Sequence, residues 1–304
     1  MSKKMIKLAA QVDPITAKNG AGFRNDLKGA SSSRLLFLLL PALMFLGVFF
    51  AYPLLEMVFR SFQNETGLSI EHYERFFTRS IYPRILGITI RIAFLTTLLT
   101  LIIGYAIAYV MANARPATAR IMLLLVLLPF FTSMLVRTYA WMVILSPNGP
   151  LIAILGYFEI ENVLLIYNLT GVLIGMVYTM LPYMVLTIFS VMKGIDRRLI
   201  NVALSLGATE WSAFWRVYFP LSLPGVAGGG LLVFILSSGF YIVPRLMGGD
   251  REQMLATLIA YQVDILLNWN FASAMAVILL LLTLICFVFY ARLLGLKQLL
   301  SSKY

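Results

Sequence analysis

Five stretches of this chain run for more than twenty residues without a charge: 35–55, 92–114, 162–192, 217–244 and 265–291. A helix crosses the hydrocarbon of a bilayer with about 20 apolar residues, so each run is long enough to span. A sixth apolar stretch, 121–146, is interrupted only by Arg137 and reads as a span holding one buried or snorkelling cation. The runs are continuous and rich in Leu, Ile, Val and Phe, whereas a membrane β-barrel shows alternating segments of about ten residues. The sequence specifies an all-α integral membrane protein with six transmembrane helices. With 61% apolar and 12% charged residues among 304, a soluble enzyme is excluded.

The distribution of charge orients these spans. With the N-terminus inside, the inner pieces 1–34, 113–120, 193–216 and 292–304 carry sixteen of the 24 Lys and Arg, and the outer loops carry six. Nine of the thirteen acids fall outside. Basic loops stay cytoplasmic, so both termini are expected there, and the net charge of +11 reflects orientation in a lipid bilayer rather than nucleic-acid binding. One cysteine, Cys286, and one histidine, His72, support neither an internal disulfide nor a His/Cys metal cluster.

The organisation that follows is a cytoplasmic tail 1–34 capped onto the first helix by Ser31, Ser32 and Ser33, a first span 35–55, an outer loop 56–85, a five-helix core 86–292 and a cytoplasmic tail 293–304. The apolar core of the first span lies too far from the N-terminus for a cleaved signal peptide, and the basic tail suits anionic lipid. No G-x-x-x-x-G-K-[ST] phosphate cradle occurs, so this chain is not expected to bind ATP or to act as an enzyme. The spans hold only Arg91 and Arg137 as charged candidates, which argues against a carboxylate proton relay.

One inner loop, 193–222, is long and patterned. Asp196 can cap a short helix with apolar Leu199, Ile200, Ala203 and Leu206, Gly207 gives a turn, and Thr209 can cap the next helix. There Trp211, Phe214, Trp215, Tyr218 and Phe219 fall at i, i+3, i+4, i+7 and i+8. Pro220 and Pro224 are expected to turn the chain into the next span. The aromatic face either rests among lipid headgroups or, with the small residues Ala203, Gly207 and Ala208, fits a groove on a cytoplasmic partner.

By its spacing the loop resembles the EAA signature of type I ABC importer permeases, roughly E-A-A-x-x-x-G followed by I-x-L-P, at Asn201, Val202, Ala203, Gly207, Val217, Phe219 and Pro220. Asn and Val replace the leading Glu and the first Ala. The segment Leu128-Pro129-Phe130-Phe131-Thr132-Ser133, then Leu135-Val136-Arg137-Thr138-Tyr139-Ala140-Trp141, is similar to permeases of spermidine/putrescine and opine importers. Further matches are Leu181-Pro182-Tyr183, Lys193-Gly194-Ile195-Asp196-Arg197 and Val243-Pro244 before Leu246-Met247-Gly248-Gly249.

The resemblance implies a subunit of the bacterial inner membrane that forms half of a translocation pathway. Its partners would be two ATPase subunits, which use the ATP and Mg, a second permease in a heterodimer and an extracytoplasmic solute-binding protein. It assigns ATPase coupling to Asn201, Val202, Ala203, Ser205, Leu206, Gly207, Ala208, Thr209, Glu210 and Trp211, with the loop-to-helix turn at Pro220 and Pro224. The cargo implied is a small organic cation such as a polyamine. The alternatives are an opine or amino-acid-like solute and an ion-coupled secondary transporter.

For the pathway or gate the candidates are Arg137, Tyr139, Ser237, Ser238 and Tyr241. Arg137 either pairs with a carbonyl or a partner subunit, or snorkels outward. The two serines either line the pathway or serve helix packing. Residues Met254 to Leu267 read as an outer amphipathic helix that meets the binding protein, seals the pore or rests at the interface.

Overall fold

The computed structural model of the chain describes residues 40–64, 67–158 and 164–301, with side chains through residue 292. The tail 1–34 with its capping serines, the start of the first span and the final residues 302–304 lie outside the described residues. By compactness the chain divides into Met1–Met57 and Val58–Tyr304.

Helix α1, Leu40–Arg60, begins in the first unit and exposes Leu43, Met44, Phe45, Phe49 and Phe50, as suits a helix solvated by lipid. It widens at Gly47–Ala51 into a π-turn, in which the Tyr52 N–H reaches the Gly47 carbonyl. Pro53 follows directly.

The second unit opens with a small hairpin, β1 Gln63–Asn64 paired antiparallel with β2 Gly67–Leu68, and then α2, Glu71–Thr78. The long helix α3 is Ile81–Asn113. Next come α4 Pro116–Leu127, α5 Met134–Leu145 and α6 Pro150–Gly156. α7 Leu169–Lys193 precedes the inner helix α8 Arg197–Ser205, and α9 is Glu210–Ser238. On the far side α10 Ile242–Met247 and α11 Leu255–Asp264 lead into α12, Trp269–Ser301.

Six helical segments among the described residues are long and apolar enough to cross a membrane: α1, α3, Met134–Gly156, α7, α9 and Trp269–Arg292. α3 has 33 residues. At about 1.5 Å per residue it exceeds the hydrocarbon thickness of about 30 Å, so its first turns extend into what the sequence assigns to the outer loop. That loop is built of β1, β2 and α2. Arg75 and Phe76 of α2 reach the α3–α12 junction, with the Arg75 guanidinium 4.5 Å from the Phe271 ring centroid. α12 also runs beyond residue 292, where the sequence places the start of a tail.

Two expectations are corrected. The stretch 121–146 is not a single helix: a 3-10 turn at Leu128–Phe131 and extended backbone at Thr132 and Ser133 separate α4 from α5. Pro129 lacks an N–H and its ring crowds the carbonyl four residues back, which ends α4. Pro220 and Pro224 do not interrupt the helix either, because α9 is continuous through both. A π-turn at Phe214–Tyr218 carries the Phe219 N–H to the Phe214 carbonyl. The wider turn takes up a proline that cannot donate, and the same order of π-turn, one residue, then proline occurs in α1.

The core is the mutual packing of α3, α7 and α9. Ala108 and Met111 of α3, Met180, Met184, Val185, Ile188 and Met192 of α7, and Tyr218 and Val233 of α9 are buried together. Gly225 permits close approach, since a Cβ there would lie 3.2 Å from the Cα of Ile188. A second buried cluster joins Ile92, Leu145, Val172, Met176, Val243 and Met247.

Candidate coupling site

At the end of the bundle that carries Arg115, Arg120, Arg197, Arg198 and Arg216, the chain leaves α7 and builds a helix-turn-helix. The Asp196 carboxylate accepts the Arg198 N–H at 2.9 Å and caps α8. α8 closes at Gly207, whose φ is +86°. The Gly207 N–H donates to the Leu204 carbonyl at 3.0 Å and the Ala208 N–H to Ala203 at 3.1 Å. That pair of bonds is a Schellman closure, which favours glycine because the left-handed backbone crowds a Cβ. The Thr209 hydroxyl then accepts the Ser212 N–H at 3.2 Å and starts α9.

α8 has two faces. Ile200 turns inward, and with Ile195 it packs on the α3–α7–α9 core. Leu199, Val202 and Leu206 lie outward at i, i+3 and i+7, with Leu206 83% exposed. Asn201, Ser205, Gly207, Thr209 and Glu210 are also exposed, and Ala203 and Ala208 are half-buried. Among the described residues nothing of the chain covers this apolar ridge, which lies next to Trp211 at 72% exposure.

The aromatic run does not keep to one face. Phe214 and Tyr218 pack inward against Tyr109 of α3, with ring centroids 5.5 and 5.2 Å away. Trp211 and Trp215 stay exposed, 5.7 Å apart. Exposure and core packing are divided between alternate members of the stripe. Behind α8 lies a cavity of about 240 Å³ bordered by Tyr109, Asn113, Arg197, Asn201, Leu204 and Glu210.

The pathway candidates differ in their surroundings, although Leu236 and Phe240, which flank the two serines, also line the cavity beside Arg137. Arg137 is half-buried beside a cavity of about 120 Å³ with Pro129, Phe130, Thr179, Pro182 and Tyr183, and its buried Nε has no hydrogen-bond partner. Tyr139, on the same helix, is exposed. Ser237 and Ser238 are fully buried, so they face helix packing rather than an open path, and the Ser238 hydroxyl donates to the Phe234 carbonyl at 2.8 Å. Tyr241 is half-buried under the Arg245 guanidinium, 5.4 Å from its ring centroid.

An outer basin of about 670 Å³ escaped the sequence reading. Tyr167, Arg245, Asp250, Gln253, Thr257 and Tyr261 border it, drawn from the loop before α7, from α10, from α11 and from the connection between those two helices. The signal was Gly248-Gly249, where a Cβ would meet the Pro244 carbonyl at 2.5 Å and the Tyr167 carbonyl at 2.5 Å, so glycines let these segments close together. Among the described residues no group of three or more His, Cys, Asp and Glu is placed to hold a metal.

The described residues thus form a bundle of helices long and apolar enough to cross a membrane, with an exposed helix-turn-helix at its basic end. Residues 100–295 match the family described as the binding-protein-dependent transport system inner membrane component. The chain belongs to this family, the inner-membrane permeases of ABC importers, and is the multi-pass permease component rather than the ATPase. It is 33% identical over 226 residues to the spermidine/putrescine transport system permease protein PotB of Haemophilus influenzae, covering 73% of this chain and 79% of that one. PotB of Escherichia coli is 29% identical over 263 residues, 84% of this chain and 92% of its own. A crystal structure of a bacterial ABC transporter that imports the acidic polysaccharide alginate has the same fold, with a TM-score of 0.71 at 16% identity over 89% of this chain and 97% of that one.

Proposed function

We propose that this permease carries a small organic cation of the polyamine class inward, forms half of the pathway with a second permease, and is driven by a pair of ATPases docked on residues 201–211. A solute-binding protein would deliver cargo at the opposite end. The observation that carries the substrate class is the similarity to two permeases named for spermidine and putrescine, over 73% and 84% of this chain. Coupling through α8 is supported by the ridge of Leu199, Val202 and Leu206 beside Trp211, which is exposed among the described residues. The fold does not fix the cargo, since an alginate importer shares it.

The test is uptake of radiolabelled spermidine into vesicles containing the chain, its partner permease, the ATPases and the binding protein. Uptake that needs ATP and is competed by putrescine, but not by an opine or alginate, supports the reading. Competition by the opine alone overturns the polyamine assignment, and uptake driven by an ion gradient without ATP overturns the coupling.

A further inference from the structure

Resting on the coupling role proposed for α8, we propose that Arg197 is a latch that fixes α8 to the C-terminal end of α3. A displacement imposed on α8 then reaches the membrane core through α3 as well as along α9. The last carbonyls of a helix have no N–H of their own to accept. At the end of α3 the chain leaves extended, with ψ of 163° at Ala114 and 149° at Arg115. The Arg197 Nη2 donates to the Ala112 carbonyl at 3.1 Å across 85 residues of sequence. Among the described residues this is the one hydrogen bond between α8 and α3. A guanidinium at a helix C-terminus also meets the negative end of the helix dipole.

Two features make this link mechanically important. α8 is joined to the chain by the short connections 194–196 and 206–209 and packs on the start of α9, whereas a cavity of about 240 Å³ lies between it and Tyr109 and Asn113 of α3. Ile200 supplies apolar contact but no directional bond. The arginine sits in the first turn of α8, so the bond holds the end nearest α7, while the Gly207 end is joined to α9.

The experiment uses the assembled transporter in lipid nanodiscs, with Cys286→Ala and spin labels at Val110→Cys on α3 and Arg198→Cys on α8. Pulsed electron resonance then measures the α3–α8 separation with and without ATP. With Arg197 present, a single distribution is expected to persist in both states. In Arg197→Gln it should shift on ATP addition, and solute moved per ATP hydrolysed should fall about twofold, since the bond is exposed and screened by solvent. Arg197→Lys should restore the fixed distribution in part.

An unshifted distribution in Arg197→Gln, or a separation that already changes with ATP in the parent, overturns the latch while leaving the coupling reading intact. Failure to recover any ATPase with the parent chain overturns both. Where the glutamine variant does not assemble, Arg197→Lys takes its place: a distribution broader than the parent's on ATP addition supports the latch, and one identical to the parent's overturns it.

Discussion

The Thr89 hydroxyl accepts the backbone N–H of Leu255 at 2.8 Å, joining α3 to the first residue of α11 across 166 positions of sequence. It also donates to the Ile85 carbonyl at 2.9 Å, so both of its roles are used. Met254, which precedes α11, has no side chain that can cap, and Thr89 supplies the acceptor that the local sequence lacks. Thr89 and Leu255 are both fully buried. Thr89→Val is isosteric but strands the N–H in the interior, which costs about 1–3 kcal/mol. Thermal unfolding in detergent should show a clear drop for Thr89→Val and almost none for Thr89→Ser.

Gly207 tests the turn. A Cβ there has open space around it, so the objection to a side chain is the backbone angle of +86°. Gly207→Ala should weaken the closure of α8 by about 1 kcal/mol, and Gly207→Asn by less. Gly207→Trp adds bulk on the proposed docking face and should abolish recovery of the ATPase by affinity purification, with membrane insertion unchanged. Normal ATP-driven uptake by that variant would remove the loop from the mechanism.

Ser237 has a buried hydroxyl without a hydrogen-bond partner. Removing a buried polar group that pairs with nothing relieves its desolvation, so Ser237→Ala should raise stability by about 1 kcal/mol. Uptake should stay at the parental level, because this residue does not reach an open surface. A loss of uptake with unchanged melting would return Ser237 to the pathway.

Arg137 behaves oppositely if it serves transport. Its Nε is buried without a partner next to the notch formed by Phe130, Pro182 and Tyr183. An unpaired charge within a span is costly to keep, so Arg137→Met should leave melting unchanged or higher. Uptake should fall several-fold, measured as initial rates in vesicles. Parental uptake would reduce Arg137 to a snorkelling side chain.

The aromatic stripe shows how far sequence pattern carries. Its spacing gives Trp211, Phe214, Trp215, Tyr218 and Phe219 one helical face, but the π-turn at Phe214–Tyr218 adds a residue to the repeat. Phe214 and Tyr218 then meet Tyr109, and the two tryptophans stay outside. Pro220 was legible as a residue that cannot donate, yet whether a chain answers with a turn or a widened helix depends on what packs beside it. Ser237 and Ser238 carried the same ambiguity, since small polar residues suit both a pore wall and a helix contact.

What the sequence determined by itself is whatever follows from transfer into hydrocarbon and from local backbone chemistry. Apolar runs about 20 residues long must be helices, because every backbone N–H and carbonyl then pairs within its own segment. Basic loops set the sidedness, and a glycine flanked by capping residues sets the α8–α9 turn. The tertiary structure alone decided the pairings that cross the chain: Thr89 with Leu255, Arg197 with Ala112, and the basin between Tyr167 and Asp250. Those depend on which helix faces approach, and in a lipid-solvated bundle every face is apolar, so periodicity no longer distinguishes inside from outside.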